Sequence, residues 1–382
     1  MPHDVLIVGA GPVGMALAVA LKDAGLDTVL VDARPRGAAR GDPRVLALAH
    51  GTRLTLQRLR VWEGLSATPI RHIHVSQAGG FGRTRIEAAE HHLDALGYVV
   101  RAGELAGALD DRVRDAAIPV IDGCAVAHLA PASDDVIVSL DGETERAVRA
   151  RLVACAEGGV QGGDDTIGGR DYGQHAVITV ATPADEHGHL AFERFTPDGP
   201  LALLPCGRDY AVVHTTSPRG AERLLAMDER EYLDEVERCM AGRVRLTRVE
   251  PRQRFPLALR YRRDPVGDRT VWLGNAAQTL HPVAGQGFNL ALRDVWALAS
   301  LLRTTPAGAD PGDAALLSRY RSARRVDRGA TIGTTDTLVR LFSNDLAPLK
   351  ALRGAGLLLL DACPPLRGAL ARRMMFGARA WP

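Results

Sequence analysis

The sequence predicts an α/β protein in which a Rossmann-type domain is interrupted by a β-rich (α+β) domain and followed by C-terminal helices. Three observations predict this arrangement. The chain opens with a buried strand, a glycine turn and an apolar helix. Short alternating strands dominate residues 174–262, and mixed strand and helix signals return from residue 271.

The composition is that of a folded globular protein. Hydrophobic residues make up 46% and charged residues 24% of the 382 positions, a length that suits two or three domains. A disordered chain, a collagen-like fibre and a small disulfide scaffold are therefore excluded. The net charge of +2 gives no argument for a nucleic-acid partner, and we expect none.

The cysteine and histidine patterns predict neither disulfides nor a metal site. The five cysteines include no C-x-x-C pair, and the sequence has no H-E-x-x-H motif. The apolar run over residues 5–21 carries three glycines and a proline and follows Asp4, so it reads as a buried strand, turn and helix. We therefore expect a metal-free protein in the cytoplasm.

The first element is a strand over residues 5–8, followed by a helix from Met15 to about Ala24 that Gly25 ends. A second strand covers residues 28–31. Its β-branched residues and the distance of about one helix from the first strand indicate a β-turn-α-β unit.

The turn of this unit carries the pattern Gly9-x-Gly11-x-x-Gly14, with Pro12 inside it. Gly9 permits a tight turn, Gly11 lets a pyrophosphate approach the backbone, and Gly14 lets the helix pack closely on the strand. The helix N-terminus supplies free N–H groups to phosphates. Asp32 closes the second strand, where it can accept hydrogen bonds from a ribose. The motif indicates a dinucleotide without distinguishing NAD from FAD.

The next stretch predicts a helix over residues 44–65, a strand over 72–77, a helix over 103–116 and strands over 134–140 and 150–156.

Residues 174–262 predict a mostly antiparallel sheet that one helix interrupts near residues 228–241. After a strand at 271–273, helices are expected over residues 288–302 and from residue 313 onward.

A second motif, over residues 274–289, follows the strand at 271–273. A side chain at Asn275, just after the strand end, can contact a bound ligand. Gly285 and Gly287 then open a helix whose N-terminus can stabilise negative charge on that ligand. The candidate cofactor residues of this motif are Gly274, Asn275, Pro282, Gly285, Gln286, Gly287, Phe288 and Asn289.

The segment resembles the second flavin-binding motif of the FAD-dependent aromatic hydroxylases. It is most similar to their ubiquinone-biosynthesis branch, the 2-polyprenyl-6-methoxyphenol hydroxylases (UbiH type). Asn275 stands where the wider family has Asp, a replacement typical of that branch. By the same resemblance Arg44, in the segment over residues 42–48, lies against the FAD phosphates. Residues 191–205 and 331–342 resemble the branch's substrate-domain strands and C-terminal helices.

The resemblance implies an aromatic-hydroxylase architecture. Its predicted boundaries are residues 1–72, 98–173 and 263–335 for the FAD-binding domain, 73–97 and 174–262 for the substrate domain, and 336–382 for the C-terminal helices.

The activity implied by the resemblance is hydroxylation of a polyprenyl (methoxy)phenol in ubiquinone biosynthesis. FAD is the bound cofactor, NAD(P)H a transient co-substrate, and O2 reacts through a flavin C4a-hydroperoxide. Three alternatives stay open: a nicotinamide-only dehydrogenase, another flavin oxidoreductase of this fold, and a non-catalytic flavoprotein scaffold that contacts other ubiquinone-biosynthesis proteins.

Two positions have competing interpretations. Glu157 stands where the family has an Asp linked to FAD and the nicotinamide cofactor, and it either keeps that role or packs in a loop. His281, before Pro282, is a weak candidate for general acid–base catalysis, because a lone His beside Pro is more often a packing residue. No catalytic base is identified.

The C-terminal segment, residues 340–382, has seven basic and two acidic residues among apolar runs such as residues 357–360. This pattern suits peripheral binding to an anionic membrane, here the inner membrane, where a prenylated substrate would collect. The competing interpretation is a helix packed on the FAD domain with a solvated basic face.

Overall fold

The computed structural model describes residues 1–141, 146–160, 163, 165–306, 308–342 and 347–377. Its helices are α1 (Pro12–Leu21), α2 (His50–Arg58), α3 (Ala102–Asp115), α4 (Pro218–Ala226), α5 (Glu229–Met240), α6 (Gln286–Arg303), α7 (Ala314–Phe342), α8 (Ala347–Ala362) and α9 (Pro364–Phe376). Its strands are β1 (His3–Val8), β2 (Thr28–Val31), β3 (Val45–Ala49), β4 (Thr68–Ile70), β5 (His72–Gln77), β6 (Arg83–Glu87), β7 (Gly97–Arg101), β8 (Val120–Ile121), β9 (Ala125–Pro131), β10 (Val136–Asp141), β11 (Arg146–Cys155), β12 (Ile167–Pro183), β13 (Leu190–Thr196), β14 (Gly199–Cys206), β15 (Asp209–Thr216), β16 (Leu246–Val249), β17 (Gln253–Arg262), β18 (Val266–Gly267), β19 (Thr270–Trp272) and β20 (Gln278–Thr279).

The first sheet is built on parallel strands in the order β19-β11-β1-β2-β8. Helices α1, α3 and α6 pack on it through a core that includes Leu17, Leu109 and Leu298. Strand β2 and residues 5–8 of β1 are buried and almost wholly apolar because other elements cover both of their faces. The predicted β-turn-α-β unit is confirmed, with α1 over Pro12–Leu21 in place of the expected start at Met15.

The second sheet, here called the large sheet, has the order β20-β17-β12-β15-β14-β13-β5-β6. Its pairs are antiparallel except for β13 with β5, as the alternating pattern predicts. Its outer face packs on α4 and α5 through a core that includes Val177, Phe192 and Tyr232. Its inner face is turned toward the first domain.

A small third sheet, β3-β7-β4, connects the two domains. It corrects the expected helix over residues 44–65. Val45–Ala49 forms β3 and pairs with Gly97–Arg101, and the helix α2 occupies only His50–Arg58. The five-residue apolar run at 45–49 suits either a strand or a helix, and a partner strand some 50 residues away decides the outcome.

The expectation of one helix within residues 174–262 is also wrong, since α4 precedes α5. Ser217 caps α4, accepting a hydrogen bond from the Gly220 N–H at 3.1 Å, and Pro218 occupies its first turn. The Ser-Pro pair at residues 217–218 is a helix-start signal that the sequence contains, but it lies among residues whose alternating pattern predicts strands.

Four predicted domain boundaries fall inside elements. The boundaries at 72/73 and 97/98 lie one residue into β5 and β7. The boundary at 173/174 lies within β12, whose pairing with β17 begins at Ile167, so the large sheet starts earlier than expected. The boundary at 335/336 lies within α7, which runs unbroken from Ala314 to Phe342.

Buried ion pairs hold α7 on α6. Arg324 donates to Asp294 at 2.6 Å and to Asp327 at 2.7 Å, and the other Asp294 oxygen accepts from Gln278 at 2.9 Å. Because Gln278 belongs to the second motif, this network also positions the loop that follows it. Among the described residues, no helix is both long enough and apolar enough to cross a membrane.

Candidate active site

One cavity of about 2030 Å³ lies between the parallel sheet, the large sheet and the C-terminal helices. Pockets for a single small ligand measure about 300–1,000 Å³, so this cavity has room for a dinucleotide and a second ligand. Both glycine motifs line it at one end. The inner face of the large sheet and apolar residues of α8 and α9 line the rest.

The first glycine turn forms part of the cavity wall. Two of its three glycines are required by close packing, and the third leaves open space. A Cβ on Gly9, whose φ is +102°, would lie 2.9 Å from the backbone of Ala156, and a Cβ on Gly14 would overlap the carbonyl oxygen of Gly9. A Cβ on Gly11 would meet no atom within 4 Å and would occupy the space in front of α1. With Pro12 in the first turn, this leaves a cradle at the α1 N-terminus that suits a pyrophosphate.

Asp32 lies at the end of β2 beside this turn. Its carboxylate accepts hydrogen bonds from the Ala10 N–H at 2.6 Å and from the N–H and guanidinium of Arg34. Burial alone would raise the pKa of Asp32, but these hydrogen bonds outweigh it and hold the pKa below its ordinary value. The side chain is therefore an anionic acceptor at the cavity wall, as ribose binding requires.

Arg44 lines the cavity near the same turn. Its guanidinium forms a two-pronged ion pair with Asp42, with a shortest distance of 2.6 Å. The hydrogen bond to Asp42 raises the pKa of Arg44, so the cation is permanent. A phosphate group that binds Arg44 would share it with Asp42.

The second motif brings the α6 N-terminus to the cavity. Gly274 and Gly285 both have positive φ, +57° and +58°, and their Cβ positions are crowded by Val13 and Ala47. A Cβ on Gly287 would instead meet nothing within 4 Å. Because Gly287 lies in the first turn of α6 and faces open space, a flavin ring can approach the free N–H groups there.

Asn289 and Gln286 line the cavity but bond to the protein. Asn289 accepts from the Ala49 N–H at 2.8 Å and the Thr52 hydroxyl at 2.7 Å, and donates to the carbonyls of Ala47 and Gly285. Its side chain thus ties α6 to β3 and positions the cavity wall.

The remaining residues of the motif are divided between the cavity and the core. Asn275 is exposed at the cavity wall. Phe288 also lines the cavity and packs against the core under the parallel sheet. Gln286 donates to the Met374 carbonyl at 3.4 Å, which joins α6 to α9.

Glu157 follows β11 and lines the cavity beside the Gly9 turn. Burial raises the pKa of this carboxyl, and the charge of Arg262 partly offsets the shift. Arg262 in turn stacks on Trp272 with 4.0 Å to the ring centroid. This placement in the cavity wall favours a functional role over loop packing.

His281 is fully buried at the cavity wall next to Pro282. Its Nδ1 accepts from the Val283 N–H at 3.1 Å, and its ring meets Tyr172 edge-on at 5.5 Å. Burial lowers the pKa of His281 to about 4, so the ring is neutral at pH 7. Within the described part of the chain, Nε2 has no hydrogen-bond partner. Because Nδ1 accepts, the neutral ring carries its proton on Nε2, which can donate one hydrogen bond to a ligand. A neutral imidazole is a poor acid, so this arrangement argues against proton donation by His281.

Among the charged cavity residues that the sequence did not reveal is Glu193 on β13. The alternating pattern of residues 190–196 could have revealed it, because Phe192 and Arg194 face the outer core while Glu193 falls on the opposite face. Among the described residues, no cluster of three His, Cys, Asp or Glu side chains could hold a metal ion.

The residues at the two glycine motifs fit a flavin dinucleotide, as two comparisons with known proteins also indicate. Residues 2–332 match the family described as FAD binding domain. The ubiquinone hydroxylase UbiL of Rhodospirillum rubrum is 35% identical over 97% of this chain and 89% of its own. The 3-demethoxyubiquinol 3-hydroxylase of Escherichia coli is 29% identical over 96% of both chains.

Solved structures share the architecture. The p-nitrophenol 4-monooxygenase PnpA of Pseudomonas putida DLL-E4 superposes with a TM-score of 0.78 over 99% of both chains at 18% identity. The predicted fold class, a Rossmann-type domain interrupted by a β-rich domain and followed by helices, is confirmed by this similarity and by the sheets described above.

Proposed function

Because the chain belongs to the FAD binding domain family and is a full-length relative of ubiquinone hydroxylases, we propose that it hydroxylates the ring of a polyprenyl (methoxy)phenol in ubiquinone biosynthesis. FAD is the bound cofactor in this proposal, NAD(P)H the reductant and O2 the oxygen source. One observation carries it: the glycine cradle and a large apolar chamber are parts of a single cavity.

The chain's own residues would hold and orient the two ligands. The α1 N-terminus at Gly11 faces the pyrophosphate, and Asp32 accepts from a ribose hydroxyl. The α6 N-terminus at Gly287 faces the flavin ring, where its N–H groups favour negative charge. Bound FAD supplies the redox chemistry, accepting a hydride from NAD(P)H and activating O2 for oxygen transfer to the ring.

The apolar chamber suits the substrate's tail and keeps water from the reacting ring. Its wall includes Phe255 and Leu257 on β17 and Leu357, Leu360 and Leu370 on the C-terminal helices. A prenyl chain gains roughly 25 cal/mol for each Å² that it buries against such residues. A small polar phenol would leave most of this wall uncovered.

Binding at a membrane surface is the second part of the proposal. Leu352, Leu359 and Leu366 line the cavity and are also 63%, 58% and 44% exposed, so the cavity has an opening at the C-terminal helices, here called its mouth. A lipid surface would cover these side chains and deliver a prenylated substrate directly to the mouth.

The basic residues of the C-terminal segment contribute less than the sequence suggested. Arg353 is buried and donates to the Leu341 carbonyl, and Arg367 pairs with Glu90 at 2.8 Å. Arg379 and Trp381 lie outside the described residues. The exposed leucines therefore carry the membrane proposal.

The test is a purified-protein assay. We expect one FAD per chain and NAD(P)H oxidation that 2-prenylphenol stimulates, with one ¹⁸O atom from ¹⁸O2 in the product. Bound FAD without any stimulation by prenylated phenols would favour the scaffold alternative. In a deletion strain, the expected finding is an accumulated methoxyphenol precursor of ubiquinone.

A further inference from the structure

The inner face of the large sheet carries one acidic side chain in an apolar row. Consecutive strand pairings place five residues side by side across the sheet, and all five line the cavity: Val75, Glu193, Ala202, Val213 and Ile178. At the end of this row, opposite Val75, lies Thr84. A carboxylate in the middle of an apolar wall is unfavourable unless a ligand donates a hydrogen bond to it or a proton neutralises it.

Glu193 is far from bulk solvent although part of its surface is accessible. The accessible part faces the cavity, since the residue lines it in the middle of β13. Burial alone raises the pKa of Glu193 to about 7, with no contribution from a neighbouring charge. Among the described residues, no side chain or backbone N–H pairs with the carboxylate, so its hydrogen-bonding capacity is directed at whatever enters the cavity.

The carboxylate lies close to the second motif. Phe195, two residues along the same strand and on the same face, packs with Val283 and Phe342 in one buried cluster. Two residues along a strand span roughly 7 Å. Val283 belongs to the loop that leads into α6, where we place the flavin ring. A ring held against Glu193 would therefore lie on the side of the sheet that faces this loop.

We propose that Glu193 binds the ring hydroxyl of the substrate and thereby selects phenols over their ethers. This proposal rests on the proposed function and names the residue that recognises its substrate class. The phenol O–H loses its water on entering an apolar chamber, and the Glu193 carboxylate replaces that water as the acceptor. An ether with the same tail has no O–H to donate and leaves the carboxylate unpaired.

Thr84 complements this recognition. Its hydroxyl is buried without a hydrogen-bond partner in the described part of the chain, and Val75 separates it from Glu193 in the row. A ring with two oxygen substituents can meet both residues: its hydroxyl donates to Glu193, and its second oxygen accepts from Thr84. The row thus suits an oxygenated phenol better than a simple alkylbenzene.

The experiment measures binding of two probes, 2-prenylphenol and its methyl ether, by calorimetry on the FAD-loaded protein. We expect the wild type to bind the phenol at least 10-fold more tightly than the ether. Glu193→Leu should abolish this preference by weakening phenol binding and leaving ether binding equal or tighter. Glu193→Asp, which keeps the charge on a shorter stem, should restore part of the preference.

Asp198→Asn is the matched control, because this exposed carboxylate lies five residues away in the turn after β13 and faces solvent. It should keep the wild-type preference and FAD content. Glu193→Met, an apolar side chain of similar length that has no carboxyl or amide acceptor, covers the case in which Glu193→Leu fails to fold.

The outcomes separate the two proposals. Wild-type preference in a folded Glu193→Leu or Glu193→Met protein, with phenols still hydroxylated by the wild type, overturns the role of Glu193 alone. A wild type that binds neither probe overturns the proposed function, and the role of Glu193 with it.

Discussion

The carbonyl oxygen of Gly9 lies directly against Gly14, so that any side chain at position 14 would overlap it. Gly11, between them, faces open space instead. The same motif thus contains one glycine that packing requires and one that a ligand would require.

Alanine substitutions should separate these two requirements. Gly14→Ala pushes α1 away from the turn and should lower the free energy of unfolding by about 1–3 kcal/mol, an overpacking effect. Gly11→Ala meets no protein atom, so the protein should fold normally while its FAD content falls at least 10-fold. Urea unfolding and the flavin absorbance of purified protein measure the two effects. Full FAD occupancy in Gly11→Ala would show that the pyrophosphate does not lie there.

The α6 N-terminus should tune the flavin. A Cβ at position 287 would meet no protein atom within 4 Å, so Gly287→Val places its side chain in the open space in front of the helix. If the free N–H groups stabilise anionic reduced flavin, the variant should shift the flavin potential downward and slow FAD reduction. Gly329→Val on α7 also meets no protein atom within 4 Å and does not line the cavity, which makes it the control. An unchanged potential in Gly287→Val contradicts the assigned flavin position.

Glu157 should affect the cofactor and leave the fold intact. Since the side chain lines the cavity and Gln has nearly the same size as Glu, Glu157→Gln removes the charge with little loss of packing. We expect weaker FAD binding or slower reduction by NAD(P)H, by about 10-fold. Stopped-flow reduction and flavin titration report each effect. Identical values in variant and wild type would leave Glu157 as a packing residue.

Glu193 should make the folded protein less stable as the pH rises toward 7. Burial raises the pKa of Glu193 from its ordinary value of 4.5 to about 7 in the folded chain, so between those pH values the folded state holds a proton that the unfolded state has lost. Stability therefore falls as pH rises from 4.5 to 7 and this contribution is constant above pH 7. Glu193→Gln should remove the fall, worth up to roughly 3 kcal/mol at about 1.4 per pH unit.

The measurement is urea unfolding of FAD-loaded wild type and variant across this range. His281, with a pKa lowered to about 4, acts in the opposite direction, because the unfolded state gains its proton first as pH falls. Since both proteins contain His281, its effect cancels in the difference. A pH-independent difference would show that Glu193 titrates normally.

The exposed leucines at the cavity mouth should bind lipid. Leu352→Glu with Leu359→Glu should reduce co-sedimentation with anionic vesicles at least 5-fold, because two apolar contacts are lost and two negative charges gained. Val326→Glu is the matched control, since Val326 is 65% exposed on α7 and does not line the cavity. If wild type and double variant sediment equally, the mouth is not a lipid-binding surface and a partner protein must deliver the substrate.

Much of the part of the cavity where we place FAD could be predicted from the sequence. Gly9, Gly11, Gly14 and Asp32 form a local pattern in which every member lies on one strand-turn-helix-strand unit, so spacing alone places them together. The second motif is likewise local, apart from Asn289, whose side chain proved to bind the backbone of β3. The Ala49 N–H that bonds to Asn289 is 240 residues away in the chain, and no sequence spacing indicates such a contact.

The part of the cavity where we place the substrate depends on tertiary structure, and the sequence alone does not predict it. Residues 45–49 are a strand because β7 supplies the hydrogen bonds, and the apolar pattern alone does not distinguish this from a helix. Glu193 is one acidic residue among many in the sequence. It becomes distinctive only because the strands of the large sheet place apolar residues in the same row and the first domain closes the cavity over it. Local spacing determines a motif, whereas burial depends on segments distant in the chain, and burial is what gives this carboxylate its chemistry.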